Sequence, residues 1–502
     1  MTHRRGSVVV VVVWAVAIAA VMVAATQIVS YRQAVVGREA LARVEARWAA
    51  RAGIEQMLAI MEYHATFPDP DDVMAVVRDM EDNAIGEVSS GAWSISHWND
   101  GVEWAGPRDE SSKLNINVAT RQQLLGVPGM TPDVVDAIID WRDEDDNVQQ
   151  LGAEADYYRN RNMGYRPRNA PFKSIAELEL VAGAWPKYVR GEDWNLNGRL
   201  DPNEDDGPRT FPDDKPDGKL DAGWSAYLTA GSRQSRTSVS GNEKFALQGA
   251  DTETLMKTIG VDEVQAKALA AWAGQGNARA ETLLVTPLSQ LAQQGSGGTG
   301  NRNSGNSRTG ATGGQPMSGG GSLSTGGSMS GRGAGTDGRS TGGGRSAGGA
   351  GGASSGRSSA GAGSADASKS APRDLDADQM RAVLRETSGE NFSKPVQGKV
   401  NINTASAELM KEVMQIDPRL VDAIVARRNS NPAGIASVAD LAGMSGVSPQ
   451  LLVQLAQQFD VTGTVYTVTS RGRSASTGTE VEIEAVVDRS TVPATIVSYR
   501  ER

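Results

Sequence analysis

Residues 6–31 carry no charged side chain, and residues 8–29 form an almost wholly apolar run of 22. As an α-helix such a run crosses a ~30 Å hydrocarbon core. His3, Arg4 and Arg5 precede it, so the positive-inside bias leaves them in the cytoplasm and puts everything after residue 31 on the other side. A cleaved secretory signal is the alternative. It would normally have an apolar core of about 7–15 residues followed by a small-residue cleavage site, and neither fits here.

The chain stays helical in pattern after the apolar run. Over residues 33–64, Leu41, Val44, Trp48, Leu58 and Met61 recur at three, four or multiples of these, with Arg38, Arg43, Arg47 and Arg51 between them. No proline occurs before Pro68, so both stretches can be one helix of about 55 residues and ~80 Å. Its first half would suit lipid and its second half would pack on a globular head.

An internal repeat organises the middle of the chain. Lys113-Leu-Asn-Ile-Asn-Val-Ala-Thr120 returns as Lys399-Val-Asn-Ile-Asn-Thr-Ala-Ser406, and the same offset of 286 aligns Val135-Asp136-Ala137-Ile138 with Val421-Asp422-Ala423-Ile424 and Arg142 with Arg428. Ser174-Ile-Ala-Glu-Leu178 and Ser437-Val-Ala-Asp-Leu441 follow. Thr120 and Ser406 are placed as N-caps, and Pro128-Gly129 is placed as the turn into a helix starting at Pro132. These pairs resemble helix-hairpin-helix (or SAM-like) modules, many of which hold DNA phosphates. Charge opposes that use in the first copy, where residues 111–146 have three basic and seven acidic side chains. The second copy is nearer neutral, but its hairpin, Gln415-Ile-Asp-Pro418, has no glycine to admit a phosphate.

Two acidic turns carry the site chemistry. Asp193-x-Asn195-x-Asn197-Gly198-Arg199-Leu200-Asp201-x-x-Glu204 matches a 12-residue calcium loop: side-chain oxygens at Asp193, Asn195, Asn197 and Asp201, the carbonyl of Arg199, and a closing Glu204. Leu200 is expected to tuck into a core. Asp213-x-Lys215-x-Asp217-Gly218-Lys219-Leu220-Asp221 repeats the pattern with Lys215 in a ligand position and Trp224 where the closing carboxylate belongs, so it would borrow Asp205 or Asp206. The expected donors there are Asp213, Asp217, the Lys219 carbonyl and Asp221, and the expected cofactor is Ca²⁺ in a structural role. An acidic glycine turn without metal is the alternative for each.

Composition argues against catalysis. There is no cysteine, and the three histidines, His3, His64 and His97, are far apart, so thiolate, Cys-metal and Ser-His-Asp chemistry are set aside and the chain is not expected to be an enzyme. Residues 295–373 are Gly/Ser/Ala/Thr with eight basic and two acidic side chains, a composition that cannot bury a core and reads as a disordered tether reaching ~50 Å. Trp93, Ile95 and His97 alternate as a strand, and residues 465–469, 481–487 and 495–499 read as three more.

The basic leader Arg4-Arg5-Gly6 before Ser7, then the apolar helix running into Ala52-Gly53-Ile54-Glu55, resembles a type IV pilin-like precursor. Most such subunits have glutamate where this chain has Val11, and the class lacking it is the K-type minor pseudopilin of type II secretion systems. Asp140-Trp-Arg-Asp-Glu-Asp-Asp146, Gly152-Ala-Glu-Ala-Asp-Tyr-Tyr158 and Tyr165-Arg-Pro-Arg-Asn-Ala-Pro-Phe172, in that order, are similar to that family, as are the calcium loops. The resemblance implies cleavage between Gly6 and Ser7 by a prepilin peptidase. It implies an inner-membrane, single-pass location with a periplasmic head, and a place at the pseudopilus tip in assembly and protein secretion. The implied partners are other minor pseudopilins, the major pseudopilin and the inner-membrane platform, with no nucleic acid. A helix-hairpin-helix DNA-binding protein of a competence or type IV pilus-like system is the rival, and a membrane-anchored hydrolase is a weaker one.

The expected fold is α+β: a pilin-like long helix and antiparallel sheet with a large, mostly helical insertion. The expected organisation is a leader at 1–6, the helix at 7–63 and the first part of the head at 64–112. Helical module 1 follows at 113–190, the calcium-loop region at 191–225 and a helical segment at 226–294. The linker at 295–373, module 2 at 374–460 and the closing strands at 461–502 complete it.

Overall fold

The computed structural model describes residues 5–99, 101–275, 278–296, 371–389 and 396–501. Most of the expected leader and of the Gly/Ser tract lies outside them.

Helix α1 runs unbroken over Arg5–Thr66, 62 residues, or ~90 Å at 1.5 Å per residue. It contains a stretch long and apolar enough to cross a membrane, and none of that stretch is buried among the described residues. Its C-terminal half lies on an antiparallel sheet. A short helix α2 (Ala75–Asp82) leads into β1 (Ile85–Val88), β2 (Gly91–Asn99), β3 (Val102–Ala105) and β4 (Arg108–Asp109). The chain then leaves the sheet and returns as strands Val465–Ser474, Glu480–Asp488 and Thr495–Glu501. Strand Val465–Ser474 lies beside β2, and β4 pairs with its other end, Asp109 opposite Tyr466. The sheet is therefore closed by strands some 360 residues apart in sequence, and the insertion leaves and re-enters at one place.

The helix meets the sheet through a different stripe from the one the spacing predicts. Ala42, Ala46, Ala49, Ala50, Ile54, Met57 and Met61 are buried, whereas Leu41, Val44 and Trp48 are exposed. Close approach is the reason. A Cβ on Gly472 would sit 2.0 Å from the Ala46 carbonyl oxygen, and one on Gly53 would sit 2.6 Å from Ser470 Oγ. Only small side chains fit where backbones come so near, so the alanines face inward and the large residues turn out. Further along, Ile54, Met57 and Met61 fill a core with Met80, Ile95, Val468, Ile483 and Ala485, each large side chain contributing about 1.5–3 kcal/mol by burial.

Both sequence repeats fold alike. In the first, Thr120 caps α3 (Arg121–Leu125) with a capping box to Gln123, Gly129 turns the chain at φ +73°, and α4 begins at Pro132 and ends at Arg142. In the second, Ser406 Oγ accepts the Leu409 N–H, the turn falls on Gln415 at φ +54°, and a helix runs over Pro418–Ser430. The Asn-x-Asn signature is a latch. Asn117 bonds both N–H and C=O of Phe172, while Asn403 does the same for Ile435. Arg142 reaches the carbonyls of Ile116 and Ala119, and Arg428 those of Ile402 and Ala405. Residues of both copies share one core, from Leu114 and Trp141 to Leu441 and Phe459.

A third apolar core collects helices Thr252–Ile259 and Glu263–Ala273 with Leu283, Leu288 and Ala382 and Val383 of helix Ala377–Glu386. Helix Ala377–Glu386 therefore packs with the preceding helical segment as well as beside the second repeat.

Candidate functional site

The loop at 193–204 follows the short helix Pro186–Arg190, which stops at Gly191 (φ +58°). Asp193 divides its carboxylate between the N–H groups of Asn197 and Gly198, each 2.9 Å away. Gly198 stands at φ +68°, the left-handed turn that glycine makes without strain. Asn195 Oδ1 accepts the Asn197 N–H at 2.8 Å, and Asn197 Oδ1 accepts the Arg199 N–H at 2.8 Å. Asp201 Oδ2 receives the amides of Asn195 and Asn197, and Glu204 folds back onto the N–H groups of Trp194 and Asp201. The structure thus gathers the side chains of Asp193, Asn195, Asn197, Asp201 and Glu204 about one point. Leu200 is only half-buried; Arg199 is the more buried of the two.

Electrostatics define what the loop could hold. Asp193 and Glu204 are 2% and 1% exposed. Burial raises both above the usual carboxylate range, Glu204 to about 7 with the added repulsion of Asp193 and Asp201. Arg471 offsets part of this through Asp201 at 2.7 Å. A hard divalent cation fits the remaining deficit, because the donors are all oxygens and two of the carboxylates are dehydrated. Among the described residues no three carboxylate or imidazole groups form a ready-made metal cage, so Asn amide oxygens, the Arg199 carbonyl and water would complete the shell.

This loop is fastened to the sheet. Trp98 donates its N–H to the Gly198 carbonyl at 2.7 Å, Asn197 Nδ2 reaches Glu482 at 3.2 Å, and Arg471 bridges Asp201 and Glu482. Order at the loop is therefore transmitted to the head.

The second turn is arranged differently from its sequence pattern. Asp217 accepts the Lys219 N–H and Asp221 the Gly223 N–H, but Asp213 is exposed and Asp214 turns inward to the Gly207 N–H. Its centre is Glu192, whose two oxygens accept the N–H groups of Lys215 (2.9 Å) and Asp221 (3.1 Å), with Asp205 accepting the Gly218 N–H. Asp206 instead holds Thr210. Trp224 is buried and donates to the Pro128 carbonyl. Asp205 was one of the two residues expected to be borrowed; Glu192 was not, and its place immediately before the first loop was the available signal for it.

A charged knot marks the insertion's root. Burial would raise Glu110, but Arg108 and Lys113, with the hydroxyls of Thr229 and Thr467, hold it at about 2. Burial and Arg108 bring Lys113 down to about 7, its Nζ donating to the Ser225 carbonyl. Next to them, Asp109 Oδ2 receives Asn401 Nδ2 and Thr404 Oγ1, both at 2.8 Å.

The hairpin tip of the second repeat, where a helix-hairpin-helix module would meet phosphate, is packed against α3. Gly126 lies so near that a Cβ would be 2.5 Å from the Glu412 carbonyl, Gln122 bonds Gln415 at 2.8 Å, and Met414 is buried.

A membrane-length helix clasped by an antiparallel sheet, with a helical insertion rooted between two of its strands, is a pilin-like α+β architecture. Residues 103–191 match the family model for type II secretion system (T2SS), protein K, and residues 396–460 match a helix-hairpin-helix motif. Over residues 103–191 the chain is thus similar to the protein K domain of type II secretion systems, and the K-class resemblance drawn from its sequence is borne out there. Among solved structures, the crystal structure of the GspK-GspI-GspJ complex from the type 2 secretion system of enterotoxigenic Escherichia coli covers 93% of this chain and 99% of that chain, at 10% identity and a TM-score of 0.39. So loose a superposition carries no argument by itself. No curated protein matches the sequence.

Proposed function

We propose that this chain works at the tip of a type II secretion pseudopilus, where it takes part in pilus assembly and in moving proteins across the outer membrane. The observation that supports this most is the protein K domain at residues 103–191, held between β3 of the head and the first cation loop. On this reading the chain starts in the inner membrane through α1, with the head in the periplasm, and a prepilin peptidase cuts between Gly6 and Ser7. Val11 removes the carboxylate that would pair with a neighbour's amine in the apolar filament, which suits a subunit with nothing stacked above it. Its partners would be other minor pseudopilins, the major pseudopilin and the inner-membrane platform. The role is assembly rather than catalysis. The bulky insertion would block further subunits, and Ca²⁺ at Asp193–Glu204 and at the turn around Glu192 would stiffen it.

The test is deletion of the coding sequence in the source strain, followed by measurement of type II cargo in the medium. Loss of secretion, restored by the full chain, is the expected result; normal secretion without the chain would refute the assignment. DNA binding is the second reading, favoured by the helix-hairpin-helix match. It predicts salt-sensitive retention of duplex DNA by the full chain. The packed hairpin tip at Gln415 speaks against it.

A further inference from the structure

Helix α4 ends at Arg142 and α5 (Ala155–Asn160) begins at Ala155, so residues 143–154 form a 12-residue connection between two helices. Within it Asp143, Asp145, Asn147 and Glu154 occupy the first, third, fifth and twelfth positions. Asp193, Asn195, Asn197 and Glu204 occupy the same positions in the loop already described. One hydrogen bond is repeated at the same length: the Asn147 N–H donates to Asp145 Oδ1 at 2.8 Å, as the Asn197 N–H does to Asn195 Oδ1 at 2.8 Å.

Spacing alone would leave this a solvated acidic run. The independent observation is Glu154. It is 4% exposed, makes no capping bond although it sits at the N-cap of α5, and both of its carboxylate oxygens are buried without a hydrogen-bond partner. Oδ1 of Asp143 is in the same condition. The charges of Asp140, Asp143 and Asp146 all act on Glu154. By contrast, every carboxylate of the 193–204 loop has N–H or amide donors. Three buried, undonated carboxylate oxygens under the field of further carboxylates are costly unless a cation meets them.

We propose that residues 143–154 are a further calcium loop, with the side chains of Asp143, Asp145, Asn147 and Glu154 and the carbonyl of Gln149 as its oxygen donors. Asp140 would act behind it as a positioning residue. It accepts the Gln149 N–H at 3.0 Å, and Gly152 packs on it so closely that a Cβ would fall 2.0 Å from its Oδ2. The loop departs from its counterpart at the sixth position, where Val148 stands in place of a glycine such as Gly198. That departure hides it from a motif search and makes it a weak site, in the millimolar class of extracellular modules. The inference does not depend on the secretion reading.

The experiment uses the full chain in detergent with calcium chloride as probe, bound ions being counted by equilibrium dialysis and affinity measured by calorimetry. Glu154→Gln is expected to lose one ion per chain, and to lose it equally whether Asp193 is intact or Asn, which separates this loop from the other. Val148→Gly, restoring the sixth-position glycine, is expected to tighten one class of site by roughly tenfold. That gain cannot be mimicked by misfolding. An unchanged ion count in a folded Glu154→Gln protein overturns the proposal. Should Glu154→Gln not fold, unaltered affinity in Val148→Gly overturns it.

Discussion

Asp109 and Asn401, 292 residues apart, are joined by a 2.8 Å hydrogen bond between a buried carboxylate and a buried amide. Asp109 belongs to β4, the last strand before the insertion, and Asn401 opens the second repeat. Gly463, on the way back into the sheet, lies so close that a Cβ would be 2.1 Å from Asp109 Oδ1. One side chain thus ties the exit, the far module and the return of the chain. Asp109→Ala would leave the amide of Asn401 and the hydroxyl of Thr404 without their acceptor, at a cost of about 2–3 kcal/mol. The expected outcome is that urea unfolding of the full chain changes from one transition to two; a single unshifted transition would remove Asp109 from this role.

The Glu110–Lys113 knot predicts a particular pH dependence. Glu110 falls from 4.5 to about 2 on folding, so the unfolded chain binds the extra proton between those values and stability is lost as pH drops through them. Lys113 falls from 10.5 to about 7, so here too the unfolded chain binds more protons, and stability rises with pH across that window. Stability changes by at most about 1.4 kcal/mol for each pH step of one across either window. Lys113→Met should flatten the alkaline rise and also shrink the acid limb, because Glu110 loses one of the two cations that lower it, as read from melting temperature between pH 2 and 10.

Calcium should stabilise the head by mass action. At a hundredfold excess over the dissociation constant, one ion adds about 2.7 kcal/mol. The melting temperature of the full chain in detergent is expected to fall on adding EGTA, and Glu204→Gln should remove most of that response. An EGTA-insensitive wild type would mean the 193–204 loop folds without metal.

Gly472 sets the distance between helix and sheet. Any side chain there would strike Ala46 and Ala50 backbone atoms, at 2.0 and 2.3 Å. Gly472→Val is expected to cost about 2–4 kcal/mol and to expose the head to proteolysis, while Leu41→Ala, on the outward face, should leave both unchanged.

Processing is read by intact mass. Co-expression with a prepilin peptidase should give a chain beginning at Ser7, and Gly6→Leu should stay full-length. A wild-type chain of uncut mass would contradict the expected cleavage.

The features legible in the sequence were those with a period or a repeat. The unbroken α1, the strand carrying Ile95, the three closing strands and the paired modules all follow from residues that answer to local rules. The inward stripe was not legible. Hydrophobicity favoured Leu41, Val44 and Trp48, but backbone proximity at Gly472 and Gly53 selected Ala42, Ala46 and Ala50, and that proximity exists only after the sheet forms. At the second turn, Asp213 was chosen by spacing while Glu192 and Asp214 were chosen by geometry. Neither the Asp109–Asn401 tie nor the unpartnered oxygens of Glu154 could be seen before folding brought distant segments together. In the 193–204 loop the turn itself was legible because a glycine marked it, whereas Leu200, expected in a core, is only half-buried.

Helix α1 has no proline or other break between Arg5 and Thr66, and the head packs on it from Ala42 onward. Such a rod has no hinge to absorb motion. Were its apolar end held in a bilayer, a lift or twist applied there would be carried along the ~90 Å rod to the head with its amplitude intact.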